Sequence, residues 1–208
     1  MNYGQIKEAV TLYSNRTDIT PAIYTIFLGQ AEQRIYNGST LPGAKTSGLK
    51  IAPMVTIVNP ATTTLPENLR EIKRISAIVG AYKKPLDFVP YESIGTLENT
   101  AGIPNYYSIS GSQIIYSPTF SNNVELVYYA KFVTPTIDTD TNWITDNAPA
   151  VYIAAMLLEV AIYTRDDAMF QQQAALFVDA INSLQSDDDN TVHSGSNLRI
   201  RSDNRRVL

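Results

Sequence analysis

Pro149-Ala150-Val151-Tyr152-Ile153-Ala154-Ala155-Met156-Leu157-Leu158-Glu159-Val160-Ala161-Ile162-Tyr163 decides the fold of this chain. Proline suits a first helical turn, where its missing N–H has no partner to lose. Glu159 is the only charge in the run. Apolar residues cover nearly the whole circumference, which predicts a helix buried on several sides. Thr164-Arg165-Asp166-Asp167 then breaks the pattern with good capping residues. A second helix follows, with Phe170, Ala174, Phe177, Val178, Ile181 and Leu184 at three- and four-residue spacing. Gln171, Gln173, Asn182 and Gln185 lie largely off that stripe, and order is expected to fade from Ser186 through the acidic run Asp187-Asp188-Asp189.

The N-terminal segment supplies two more helices. Ile6, Val10 and Tyr13 are expected along one side of a helix over residues 3–13. Thr20 and Pro21 open the next, in which Ile23, Phe27, Ala31 and Ile35 keep a helical period until Gly38. Each of these helices has a face it cannot bury alone, so the early and late pairs are expected to form one layer of four.

Between them the period changes. Residues 41–48 read as a loop, and Met54–Val58 as a strand stopped by Asn59-Pro60. Leu69–Val79 is ambiguous: Leu69, Ile72, Ile75 and Ile78 suit a helix, while its β-branched content suits a strand. Tyr91–Pro104 reads as an irregular connection. Tyr106–Ile109, a Ser110-Gly111-Ser112 turn and Gln113–Tyr116 read as a hairpin. Val124–Phe132 is the clearest strand, with Val127 and Tyr129 on its second, only partly polar face. Thr134–Thr145 is a polar loop leading back to the late helices. The fold class is therefore α+β: residues 1–40 and 146–186 form one helical core, 41–145 an inserted antiparallel β-rich subdomain, and 187–208 an extended C-terminal arm.

Composition narrows the function. The chain has 208 residues, 44% hydrophobic and only 17% charged, with thirteen tyrosines. Low charge with abundant tyrosine fits either a solvated polar surface or extensive interface. There is no cysteine, which removes disulfides and thiolate metal sites. No secretory signal is visible, and the most apolar helix is too short to cross a bilayer, so no membrane partner is expected. A net charge of −4 does not mark a nucleic-acid binder.

Chemical motifs are decoys or absent. Gly38–Thr46 approaches a phosphate-binding loop, but Ala44 intervenes before Lys45 and a helix precedes it where the motif needs a strand. His193 is the only histidine, and one ring cannot build a histidine metal site. Glu159, alone on so apolar a helix, needs a partner or a path to the rim. A cell-wall hydrolase using Glu159, and a carbohydrate-binding module using Tyr106, Tyr107, Tyr128 and Tyr129, are the competing readings from the residues. Leu198–Leu208, with Arg199, Arg201, Arg205 and Arg206, is either a frayed end or an arm that orders against an acidic or clefted partner.

The order of landmarks is more informative than any one of them. Phe27-Leu28-Gly29-Gln30-Ala31-Glu32-Gln33-Arg34-Ile35 resembles the AE-x-RI helix of tailed-bacteriophage head-to-tail adaptor proteins. Leu65-Pro66 resembles their strand-opening segment, Gly102–Gly111 their glycine–proline–tyrosine hairpin, and Glu125–Ala130 the strand that follows. Thr141-Asn142-Trp143-Ile144 and Pro149–Tyr152 resemble the family's approach to its long helices. The resemblance also favours the strand over the helix at Leu69–Val79.

The resemblance implies a structural, non-enzymatic virion protein without cofactors. Such adaptors form a ring, commonly twelvefold, between the portal and a tail or further neck proteins, around the channel through which double-stranded DNA passes. It implies a location at the head–tail junction, with assembly in the host cytoplasm; a tail-completion or stopper protein of the neck is the nearest alternative. By position, Leu198, Arg199, Arg201, Arg205, Arg206 and Leu208 become the expected portal contacts. Val151, Tyr152 and Met156, with Val127 and Tyr129, become the expected contacts between copies.

Overall fold

The computed structural model describes residues 1–41, 44–59, 63–97, 102–119 and 124–194. Helix α1 spans Tyr3–Ser14, and Asn2 and Gln5 close a capping box at its start. Its Tyr3, Ile6 and Val10 are buried, but Tyr13, expected on the same side, is 70% exposed. Helix α2 spans Pro21–Asn37, with proline at its first turn. Strands β1 (Gly38–Leu41) and β2 (Ala44–Ser47) follow at once as an antiparallel hairpin. This corrects the loop expected over 41–48.

Close backbone approach holds the hairpin against α2. Gly38 takes φ +78, and Leu49 N–H donates to the Ile35 carbonyl at 2.7 Å. At Gly48 a Cβ would sit 1.9 Å from the Tyr36 carbonyl oxygen, so only glycine fits.

A 3-10 turn, Ala52–Met54, leads into β3 (Val55–Val58), followed by β4 (Leu69–Val79) and β5 (Tyr82–Pro85). The ambiguous stretch is therefore a strand. Next come β6 (Asp87–Phe88), a short helix α3 (Tyr91–Ile94) within the expected connection, and the hairpin β7 (Tyr106–Ser110) and β8 (Gln113–Ser117). Its two-residue turn places Gly111 at φ +59. Strand β9 (Val124–Ala130) completes a four-stranded sheet in the order β3-β9-β4-β5; β6, β7 and β8 form a second sheet.

Helix α4 (Trp143–Asn147) closes the polar segment expected as loop, capped by Asn142 and Thr145. Helix α5 (Pro149–Thr164) ends at Arg165, which takes φ 55, and α6 spans Asp167–His193. The last helix thus runs through the acidic segment where order was expected to fade. The segment that follows the hairpin supplies the reason. Asp188 accepts the Ala52 N–H at 2.9 Å, and Gln185 Nε2 donates to the Gly48 carbonyl at 3.4 Å.

Two apolar clusters result. One joins α1, α2, α5 and α6 with Leu41, Leu49, Ile51 and Met54 from the β region. The other lies between the sheets, where Ile75, Ala77, Val124, Leu126 and Tyr128 pack with Leu86 and Ile114. The fold is α+β with a helical core and an antiparallel β portion. No described helix is long and apolar enough to cross a membrane.

The two kinds of glycine should separate cleanly in urea unfolding. Gly48→Ala meets backbone and should cost about 1–3 kcal/mol or more. Gly29→Ala, on α2 with nothing within 4 Å of its Cβ, should gain up to about 1 kcal/mol. Equal effects at both positions would contradict the close approach.

Candidate assembly surfaces

Two internal polar links fix α2 to α5, and they account for the charged residues of the AE-x-RI segment. Ala31 and Ile35 are fully buried on the core side of α2. Glu32, between them, accepts the Tyr152 hydroxyl at 2.9 Å and the Thr134 hydroxyl at 2.6 Å. The Tyr152 oxygen in turn accepts Asn142 Nδ2 at 3.0 Å, and that nitrogen also donates to the Val133 carbonyl at 2.9 Å. Burial pushes the Glu32 carboxyl above its ordinary value, and the two hydroxyl donors pull it back. Burial and the neighbouring Glu32 raise the Tyr152 phenol further.

Two positions along, Arg34 Nε donates to Glu159, whose side chain is 3% exposed, and Arg34 Nη1 reaches Ser39 Oγ at 3.2 Å. The lone charge of α5 is therefore spent on an ion pair inside its own chain. It is not a free acid in a cleft. Asn142 doubles as the cap of α4, and Trp143 stacks on Phe132 with ring centroids 5.6 Å apart.

The same enclosure covers residues expected at contacts between copies. Val151, Tyr152 and Met156 are 1%, 0% and 0% exposed, because α1, α2 and α6 of the same chain cover α5. Val127 is also buried. It lies in register with Ile57 and Arg74 on the charged face of the sheet. Tyr129 is half-buried against the helical core, with Lys73 Nζ 5.4 Å from its ring centroid. Tyr128 faces the opposite cluster and donates to Asn68 at 3.1 Å, so Tyr128 and Tyr129 form no shared sugar platform. The expected portal contacts Leu198, Arg199, Arg201, Arg205, Arg206 and Leu208 lie outside the described residues.

What remains open is elsewhere. A groove of about 960 Å³ runs between α5 and α6, with Tyr13 of α1 at its edge. Ala150, Ala154 and Leu157 line it from α5; Leu176, Ala180 and Leu184 line it from α6. Leu176 is 49% exposed, and Leu12, next to Tyr13, is also exposed. Glu159 lies two positions past Leu157, about 200° around the helix, so the Arg34 ion pair is on the opposite side of α5. On that side Ile162 and Tyr163, three and four positions on from Glu159, are exposed, as is Ile26 of α2. The sequence hinted at Leu12 and Leu176 only as apolar residues off the predicted stripes.

The sheet carries its own buried charge. Glu125 of β9 receives Arg74 of β4 at 3.0 Å and Lys83 of β5, so three strands are tied on one face. Lys83, then Arg74, hold its carboxyl below the ordinary value. Among the described residues no cluster of His, Cys, Asp or Glu could hold a metal ion.

A family model described as SU10 adaptor protein matches residues 1–201. No curated protein matches the chain.

Two predictions follow from the internal links. Tyr152→Phe strips a donor from Glu32 and an acceptor from Asn142, and should cost about 1–3 kcal/mol in chemical unfolding. Combined with Thr134→Val it should be non-additive, since both hydroxyls serve Glu32. A change under about 0.5 kcal/mol for Tyr152→Phe would mean the link is idle. For Glu125 the folded value lies below the ordinary 4.5, so its contribution is full above that pH and is lost as pH falls through the folded value. Glu125→Gln should therefore lose less stability than the parent between neutral and acid pH, read as midpoint against pH.

Proposed function

We infer the role from one premise: this chain belongs to the SU10 adaptor protein family and is a structural head-to-tail adaptor of tailed phages, not an enzyme. It belongs to the virion, among the components that join head and tail. Beyond that premise, we propose that identical copies form a ring, twelvefold in the commonest arrangement, between the portal and the tail or further neck proteins. Assembly takes place in the host cytoplasm, and the ring surrounds the channel of the double-stranded genome.

The observation that supports a ring is the pair of unlike apolar surfaces on opposite sides of α5. A groove on one side and exposed Ile162 and Tyr163 on the other are what a head-to-tail contact between copies requires. Such contacts close into rings when the rotation permits. The helical core is closed within the chain, so a single copy has a folded, independent body to bring to the assembly. A net charge of −4 suits a wall that DNA slides past, since strong phosphate attraction would hold it in place.

In this reading the C-terminal segment makes the portal contact, through Leu198, Arg199, Arg201, Arg205, Arg206 and Leu208. Purified protein mixed with assembled portal and weighed by native mass spectrometry tests it. The unmodified chain should add to the portal as a multi-copy ring, less so as salt screens the arginines. Replacing Arg199, Arg201, Arg205 and Arg206 together by Ala should abolish that addition and leave thermal unfolding unchanged. Free monomer alone at micromolar concentration would refute the ring, and undiminished binding by the four-fold variant would refute the arginine contact.

A further inference from the structure

The groove between α5 and α6 has no partner among the described residues. Aliphatic side chains line its floor, and no set of polar groups converges in it to orient a small polar ligand. Its polar residues sit along the α6 side, where Asp179 and Asp187 are exposed and neither carries a hydrogen bond or ion pair among the described residues. An occupant should therefore bring apolar side chains with a cation beside them.

The chain itself carries that combination. Ile162 and Tyr163, 46% and 50% exposed, sit at the end of α5 on the side away from the groove. Arg165 follows them in the left-handed conformation that caps the helix, and it too makes no ion pair among the described residues. The two acids next to it are placed otherwise. Asp166 caps α6 by accepting the Met169 N–H at 2.9 Å, and Asp167 stands in the first turn of α6, where the helix dipole favours a negative charge.

We infer that the groove between α5 and α6 of one copy receives the Ile162–Tyr163–Arg165 corner of the next copy. This rests on the ring reading above and names where its subunits meet. Apolar surface is buried on both partners, and the arginine meets the Asp179 and Asp187 edge. Because donor and acceptor surfaces are on opposite sides of α5, each copy has one of each to spare, and the contact repeats around the ring.

The absence of cysteine makes the test clean. Ile162→Cys and Leu176→Cys replace exposed residues and should fold with unchanged thermal midpoints. Each variant alone, and a one-to-one mixture, is assembled on the portal and treated with a short bis-maleimide. The mixture should yield a covalent dimer on a denaturing gel, and each variant alone should yield only monomer. Dimers from Leu176→Cys alone would mean groove meets groove; a cross-link from Leu176→Cys to the portal would mean the portal fills it. Either overturns the inference, as does an assembled ring in which the mixture gives no dimer. Failure of both variants and parent to assemble would instead refute the ring, and this contact with it.

Discussion

Helix α2 is anchored to α5 through two buried polar groups of α5, Tyr152 and Glu159. Glu32 holds Tyr152, and Arg34 holds Glu159, from two positions apart on the same helix. Buried polar atoms are costly unless paired, so these links tolerate little sliding of one helix over the other. Apolar contact alone would permit neighbouring registers at similar energy, because Ala, Leu, Ile and Val fit one another loosely. The polar pairs select one. The backbone of α2 then extends the same constraint into the β region. Its Tyr36 carbonyl accepts Arg70 Nε at 2.6 Å, and the Tyr36 hydroxyl accepts the Phe132 N–H at 3.2 Å. A single helix thereby sets the position of α5, of the start of β4 and of the segment leaving β9.

This arrangement decides which residues are free to meet other molecules. With α1, α2 and α6 all packed on it, α5 is one of the most enclosed elements in the chain. Each of its large buried side chains contributes on the order of 1.5–3 kcal/mol to the folded state. A contact between copies that needed Tyr152 or Met156 would have to open that core first. On the long helices, exposed apolar residues include Tyr13 at the end of α1, Ile162 and Tyr163 at the end of α5, and Leu176 on the outer slope of α6. Such positions can be covered without any rearrangement of the fold.

The four long helices and strands β3, β7, β8 and β9 were legible because each carries a recognisable apolar pattern. Ile23, Phe27, Ala31 and Ile35 could only be one face of a helix, and Val124, Leu126, Tyr128 and Ala130 mark one apolar face of β9. The hairpin β1–β2 was not legible. Its four-residue strands are short, polar and separated by Pro42-Gly43, and what holds them is contact with α2 and α6. The continuation of α6 was hidden for a related reason. Asp187, Asp188 and Asp189 read as a solvated end, and the partner that makes Asp188 a link, the Ala52 N–H, is distant in sequence. The apolar perimeter of α5 was read as buried and shared between copies; Val151, Tyr152 and Met156 are covered by the same chain. Hydrophobicity states that a surface is covered and says nothing of whether the cover comes from the same chain.

That distinction explains why family membership was readable and the contacts were not. The landmarks that carry the resemblance are devices within the chain: the Glu32 and Arg34 links, the Asn142 cap beside the Phe132–Trp143 stack, and the exposed Gly111 turn. Each is set by the geometry of the fold and demands one residue type, so each leaves a mark in the sequence. The groove and the α5 corner demand only that some apolar side chain be present on an exposed slope, with a charge nearby. Leu176 and Ile162 satisfy this without any spacing rule, and they look like ordinary surface residues until the helices are assembled around them. An adaptor built this way can keep its internal links while its outer contacts change with the partners it joins.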